Sequence, residues 1–179
     1  MHRRLLLCAL TLAIAATPAL AQRAPDNPQI DYAGFRKLTG QVEKTRRHRL
    51  LKFDAFKAEA ARPGVLLLDA RSRDAYARGH IAGAVNLPFT DFTAASLAEV
   101  IGSDHSRKIL IYCNNNFRNN AAPVYLKSVS LALNIQTFIN LVGYGYPNVW
   151  ELGDVIDFND PKVAWVGARP TGRPDNRIM

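Results

Sequence analysis

Cysteine is almost absent from this chain, which has only Cys8 and Cys113 in 179 residues. Two thiols so far apart in sequence give neither a disulfide framework nor a multi-cysteine zinc site. The four histidines are scattered, and no His or carboxylate pair stands at ligand spacing, so no metal is expected. Apolar runs are short. The longest, Leu5 to Ala16, cannot span a bilayer, and no later segment is longer. No internal repeat is visible. Acidic residues are in deficit, 15 against 23 Lys and Arg, which gives a formal charge of +8.

The N-terminus accounts for part of these features. His2, Arg3 and Arg4 precede the apolar run, and Ala19-Leu20-Ala21 forms a small-residue cleavage site before Gln22. Residues 1–21 read as a cleaved export signal, with a retained membrane anchor as the competing reading. A periplasmic protein is expected first and a secreted one second, with no stable membrane insertion after cleavage. Removal of the signal leaves 158 residues, enough for one domain with a sizeable core. It also leaves Cys113 alone in an oxidising compartment, where an unpaired thiol is a liability unless buried or used. The charge falls to +6 with the loss of Arg3 and Arg4. What remains concentrates in Lys44-Thr45-Arg46-Arg47-His48-Arg49 and in Arg169, Arg173 and Arg177, without interleaved aromatics. A solvated basic face is therefore expected and no nucleic-acid partner, with weak attraction for anionic substrates or lipid head groups left open.

Residues 22–49 read as a linker followed by a short helix, because Tyr32, Phe35, Leu38 and Val42 recur at helical spacing. Leu50 and Leu51 begin a first strand, and Asp54 is expected to cap a helix over Ala55 to Ala61. Val65 to Asp69 is a second strand, apolar until its last residue. The polar run Ala70 to His80 leads to a third, short strand stopped by Pro88. Ala94 to Ile101 is a helix capped by Asp91 or Thr93. Leu131, Ile135, Phe138, Ile139 and Val142 mark the apolar face of another, which ends near Gly143 and Gly145. Asn148 to Leu152 is a last strand. Strands alternating with helices predict an α/β fold with a parallel sheet of about five strands. Residues 158–179 read as a loosely attached tail, with Val163 to Val166 able to pack against the body.

The focal stretch is Lys108-Ile109-Leu110-Ile111-Tyr112-Cys113-Asn114-Asn115-Asn116-Phe117-Arg118. A strand apolar on both faces stops on a thiol, followed by residues free to turn around it. The carboxyl end of a parallel strand is where open sheets place ligands. Backbone amides, a following helix N-terminus and Arg118 can all stabilise a thiolate there. The plain alternative is a small buried residue capping a strand.

The run Leu68-Asp69-Ala70-Arg71-Ser72-Arg73-Asp74-Ala75-Tyr76-Ala77-Arg78-Gly79-His80-Ile81-Ala82-Gly83-Ala84-Val85-Asn86-Leu87-Pro88 resembles the D-x-R…(E/D)-x-Y…G-H-I-x-G-A-x-N-x-P signature of rhodanese domains. The strand ending on Cys113 and the pattern Asn148-Val149-Trp150-Glu151-Leu152-Gly153 are similar to further family features. The resemblance covers residues 50–157. It implies a three-layer fold with helices on both faces of the sheet, and a six-residue loop, Cys113 to Arg118, cradling a reactive sulfur. It also implies sulfur transfer. Cys113 would take a sulfane sulfur from a small anionic donor, hold it as a persulfide and yield it to a thiol or cyanide-like acceptor, with no cofactor. Asn114, Asn115, Asn116 and Phe117 would offer backbone amides, Arg118 would bind the donor, and Asp69 and Arg71 would support the site. Asp74 and His80 would form a hydrogen-bonded pair holding their turn.

Several positions depart from the family pattern. Asparagines stand where sulfur-transfer loops often carry a basic residue and a glycine. They either donate side-chain amides to an anion or satisfy turn backbone. The phosphatase-like relatives have an arginine one position further on, where this chain has Asn119, which counts against phosphate-ester hydrolysis. Asn119 to Ser130 reads as an insertion that either lids the site or pushes the following helix away from Cys113. A displaced helix would weaken thiolate activation by about 1 kcal/mol. A catalytically weak binding module is therefore the rival reading.

Overall fold

The computed structural model describes residues 27–168. The expected export signal and the start of the linker lie outside them, as do residues 169–179. Residues 27–31 form a separate short unit, in which the Asn27 carbonyl accepts from Ile30 N.

From Tyr32 onward the chain builds a parallel sheet with helices on both faces. Its elements are α1 (Tyr32–Arg46), β1 (Leu50–Leu51), α2 (Phe53–Ala60), β2 (Leu66–Asp69), α3 (Arg73–Arg78), β3 (Gly79–Ile81), β4 (Val85–Asn86), α4 (Ala94–Ile101), β5 (Ile109–Tyr112), α5 (Leu133–Gly143), β6 (Val149–Leu152) and β7 (Trp165–Gly167). The main sheet runs β1-β6-β5-β2-β4, every pair parallel, while β3 and β7 pair antiparallel apart from it.

Strand pleating sends alternate side chains to opposite faces, which is why both central strands are apolar throughout. Leu66, Leu68, Ile109 and Ile111 meet Leu97 and Ile101 of α4 and Phe138 and Leu141 of α5. Leu67, Leu110 and Tyr112 meet Phe56 of α2, together with Ile81, Phe158 and Trp165. Both layers are needed, since either face left in water would expose a row of large aliphatic side chains.

Four local expectations are corrected. Asp54 does not cap α2. The helix starts two residues earlier than expected, at Phe53, whose N–H donates to Asp154 Oδ2 at 2.8 Å from beyond β6, so the cap comes from a distant carboxylate. The polar run after β2 contains α3, capped by Ser72 Oγ, which accepts from Ala75 N. Asp74 and His80 are not partners: Asp74 pairs with Arg78, while His80 stacks on Tyr76 at 3.8 Å and bonds its carbonyl. The body also extends past Asp157. Phe158, Val163 and Trp165 are buried, and β7 closes over β3. Gly79 is required there, because a Cβ at that position would run into the Trp165 ring. Elsewhere the cap of α4 is Thr93, in a reciprocal box with Ser96.

Candidate functional site

The site sits at the carboxyl edge of β2, β5 and β6. Asp69 ends β2 and Cys113 follows β5, adjacent in the sheet through the register Asp69 to Tyr112.

Cys113 is a free thiol, buried to 1 % exposure. A single turn of 3-10 helix, Asn114 to Asn116, curls back over it, and Asn116 N donates to its side chain. The backbone N–H groups of Asn115, Leu133 and Asn134 also face the sulfur. Leu133 and Asn134 are the first two residues of α5, whose N-cap, Ala132, offers no side-chain acceptor. The amides that a helix start leaves unpaired are thus aimed at Sγ, where helix polarity also favours negative charge. The insertion therefore does not push the helix away. Burial nevertheless pushes the thiol above its ordinary range, and the nearby Glu151 carboxylate adds to the rise, while the amides act against it.

The three asparagines divide between two tasks. Asn114 Nδ2 donates to Tyr125 O at 2.8 Å, and Asn115 exchanges two bonds with Lys127, Nδ2 to O at 2.8 Å and N to Oδ1 at 3.1 Å. These side chains tie the inserted segment to the cysteine loop, which is the turn-satisfying reading extended to a second segment. Asn116 turns inward. Its Oδ1 accepts from Cys113 N at 2.9 Å, and its Nδ2 donates to Leu152 O at 2.8 Å, which fixes the loop against β6.

Two expected site residues stand elsewhere. Phe117 has no exposure and packs edge-on to Tyr112 and Trp165, anchoring the loop in the core. Arg118 is exposed and lines a separate cleft with Asp154, Asp157 and Asp160, where hydrogen bonds from the Asn119 side chain and Asn159 N, and to a lesser degree the Arg118 charge, hold Asp157 low. Successive extended residues face opposite ways, so burying Phe117 turns Arg118 outward.

Asp69 and Arg71 support the site through each other. Asp69 Oδ2 accepts from Arg71 Nη2 at 2.6 Å and from Tyr112 Oη at 2.6 Å, and Arg71 Nη2 also donates to Gly79 O at 2.8 Å. Both side chains are almost completely buried. Tyr112 sits directly before Cys113, so this lattice fixes where β5 ends.

Arg46, Asn134 and Glu151 join the site without belonging to any of the motifs that point to it in the sequence. Glu151 is a buried carboxylate gripped by Arg46 through two bonds of 2.5 and 2.7 Å. Asn134 Nδ2 links it to the loop, donating to Glu151 Oε1 at 3.1 Å and Asn116 Oδ1 at 3.0 Å. The available signal was a lone acid inside the apolar strand Val149 to Leu152, and a lone amide on the buried face of α5. Arg46, Asn115, Asn134 and Glu151 line a cleft of about 410 Å³ beside the cysteine loop, with Leu50, Val129 and Val155 among its apolar walls. Among the described residues no group of three or more His, Cys, Asp or Glu side chains gathers to hold a metal ion.

The family model for the rhodanese-like domain matches residues 52–153. No curated protein matches the chain. Among solved structures, the solution structure of the rhodanese-like domain of the Alr3790 protein from Anabaena sp. is 22% identical, covering 73% of this chain and 91% of that one, with a TM-score of 0.48. The Saccharomyces cerevisiae single-domain sulfurtransferase RDL2 is 13% identical, covering 60% and 85%, with a TM-score of 0.41. EanB is 22% identical and its match covers 57% of this chain but only 23% of its own length, with a TM-score of 0.41. Because the model spans more than half of the sequence, the chain belongs to the rhodanese-like domain family.

Proposed function

We propose that this protein is a sulfurtransferase that carries a sulfane sulfur as a persulfide on Cys113. The observation that carries the reading is the ring of backbone amides from Asn115, Asn116, Leu133 and Asn134 around Sγ. Such donors stabilise an anion without titrating and without reorganising when charge appears. The Cys113 thiolate attacks the sulfane sulfur of a small anionic donor such as thiosulfate. A bond forms between the two sulfurs, and the donor's own S–S bond breaks with its electron pair leaving on sulfite. An acceptor thiolate or cyanide then attacks the outer sulfur, and the Cys113 thiolate leaves with the pair of the broken bond. With Arg118 turned into another cleft, donor recognition falls to the amides. The leader-like residues 1–21 support a periplasmic setting for this chemistry.

A second reading, a binding module with a weak thiol, draws on one observation: Cys113 is 1 % exposed with its thiol pushed up by burial. Phosphate-ester hydrolysis has no such support, since no guanidinium from the loop reaches the thiol. The test is the intact mass of the mature protein before and after thiosulfate, then after cyanide. Sulfur transfer predicts the gain of one sulfur atom, its loss to cyanide as thiocyanate, and no gain in Cys113→Ser. A Cys113→Ser protein that still acquires and delivers sulfur overturns the proposal. A wild-type protein that gains no sulfur from either thiosulfate or a small persulfide favours the binding module.

A further inference from the structure

The Cys113 site holds a charged pair that neither the loop nor its amides explain. Glu151 lies in β6, next to β5, and its backbone N–H donates to Arg49 O in the segment just before β1. A carboxylate in that position is normally excluded from a core unless paired. Its partner comes from α1, ahead of the segment that the family model matches. Val42 is buried and Leu38 lies against Gly143, so α1 packs along α5 and delivers Arg46, its last residue, to the end of the sheet. Arg46 remains about one-third exposed along the cleft wall, while the Glu151 side chain is 6 % exposed.

The pair connects to the sulfur by two routes. One is covalent and hydrogen-bonded: Glu151 Oε1 accepts from Asn134 Nδ2, and the backbone N–H of Asn134 faces Sγ. Asn134 also donates to Asn116 Oδ1, which accepts from Cys113 N. Glu151 thereby orients both the helix start and the loop that surround the thiol. The other route is electrostatic. The carboxylate opposes a negative sulfur and the Arg46 guanidinium attracts one, and the effects on Cys113 and Arg46 carry these signs.

We propose that Arg46 and Glu151 are the positioning pair of the Cys113 site, which hold Asn134 against the sulfur and set the net charge beside it. This rests on Cys113 being the reacting group, as proposed above. The pair is close to neutral: Arg46 balances the Glu151 carboxylate, which would otherwise stand as an unpaired anion beside a nucleophile that must itself ionise. Other charged groups around the sulfur are few. Asp154 lines the same cleft but pairs with Lys52 and Phe53 N, the first turn of α5 carries no titratable residue, and the inserted segment brings only Lys127, which is exposed.

The test is the pH dependence of Cys113 alkylation by iodoacetamide, which reads the thiolate directly and does not require sulfur transfer. Glu151→Gln keeps an acceptor for Asn134 and removes the negative charge, so the midpoint moves down by about one pH unit. Arg46→Gln removes the positive charge and moves it up by a similar amount, and the double variant returns it close to wild type. Far-UV circular dichroism checks folding in each. Where Arg46→Gln does not fold, Glu151→Gln and the double variant decide. Shifts of the same sign in both single variants, or no shift in a folded Glu151→Gln, overturn the proposal. Because alkylation is independent of any donor, those outcomes are distinct from a failure to acquire sulfur.

Discussion

Removing the charge of Asp69 isolates what the buried lattice contributes. In Asp69→Asn the side chain keeps nearly the same volume, so no cavity forms, but Arg71 loses the only carboxylate that its contacts provide. Its guanidinium then retains the Gly79 carbonyl at 2.8 Å and a marginal contact with Pro123 O at 3.5 Å, both neutral. The guanidinium side chain is 2 % exposed, so water cannot replace the lost partner. Breaking a buried ion pair in this way costs about 3–5 kcal/mol, because the surviving charge stays desolvated. Reversing the Tyr112 bond adds to the cost, since its hydroxyl donates to Asp69 Oδ2 while accepting from Ile81 N. Against a total stability of about 5–15 kcal/mol, the variant loses about a fifth or more. Urea unfolding followed by far-UV circular dichroism measures this as a lower midpoint at unchanged slope. The alkylation midpoint of Cys113 should stay in place, because Asp69 acts on β5 and the turn before β3 rather than on the sulfur. A loss below about 1 kcal/mol would refute the burial argument, and a moved alkylation midpoint would refute the assignment of Asp69 as scaffold.

Two further outcomes follow from the contacts on either side of the site. Asn115→Ala removes both bonds to Lys127, costing about 1 kcal/mol at this exposed position, and loosens the inserted segment. The buried thiol should then react faster with an aromatic disulfide reagent, and an unchanged rate would show that the segment does not limit access. Trp165→Ala should cost about 3–5 kcal/mol, because the indole is buried between Phe117 and Phe158 and covers Gly79. A thermal melt within a degree or two of wild type would mean that β7 is dispensable to the body.

The helices and strands were legible where their cause is local. Four apolar residues in a row make β5 readable, the Thr93 cap lies three residues from its partner, and α1 announces itself by spacing alone. The position of Cys113 at the end of a strand was legible because that is a local pattern, and the positions of Asp69 and Arg71 because the signature run carries them. The direction of Arg118 was not legible, since the sequence does not say which of two adjacent loop residues turns inward. That depended on an aromatic cluster built from Tyr112, Phe158 and Trp165, which lie on three other segments.

By itself, then, the sequence determined the order and type of the main elements, the parallel α/β class and the placement of one cysteine at a strand's end. Periodicity, caps and turn residues act over a few positions along the chain, and each leaves its mark there. Only the tertiary structure decided what surrounds that cysteine. The start of α5, the carboxylate of Glu151 and the guanidinium of Arg46, 105 residues away from it, meet because helix and strand faces must be buried together. The same burial carries Trp165 back to Gly79 and turns Arg118 away, since packing joins surfaces rather than neighbours in sequence.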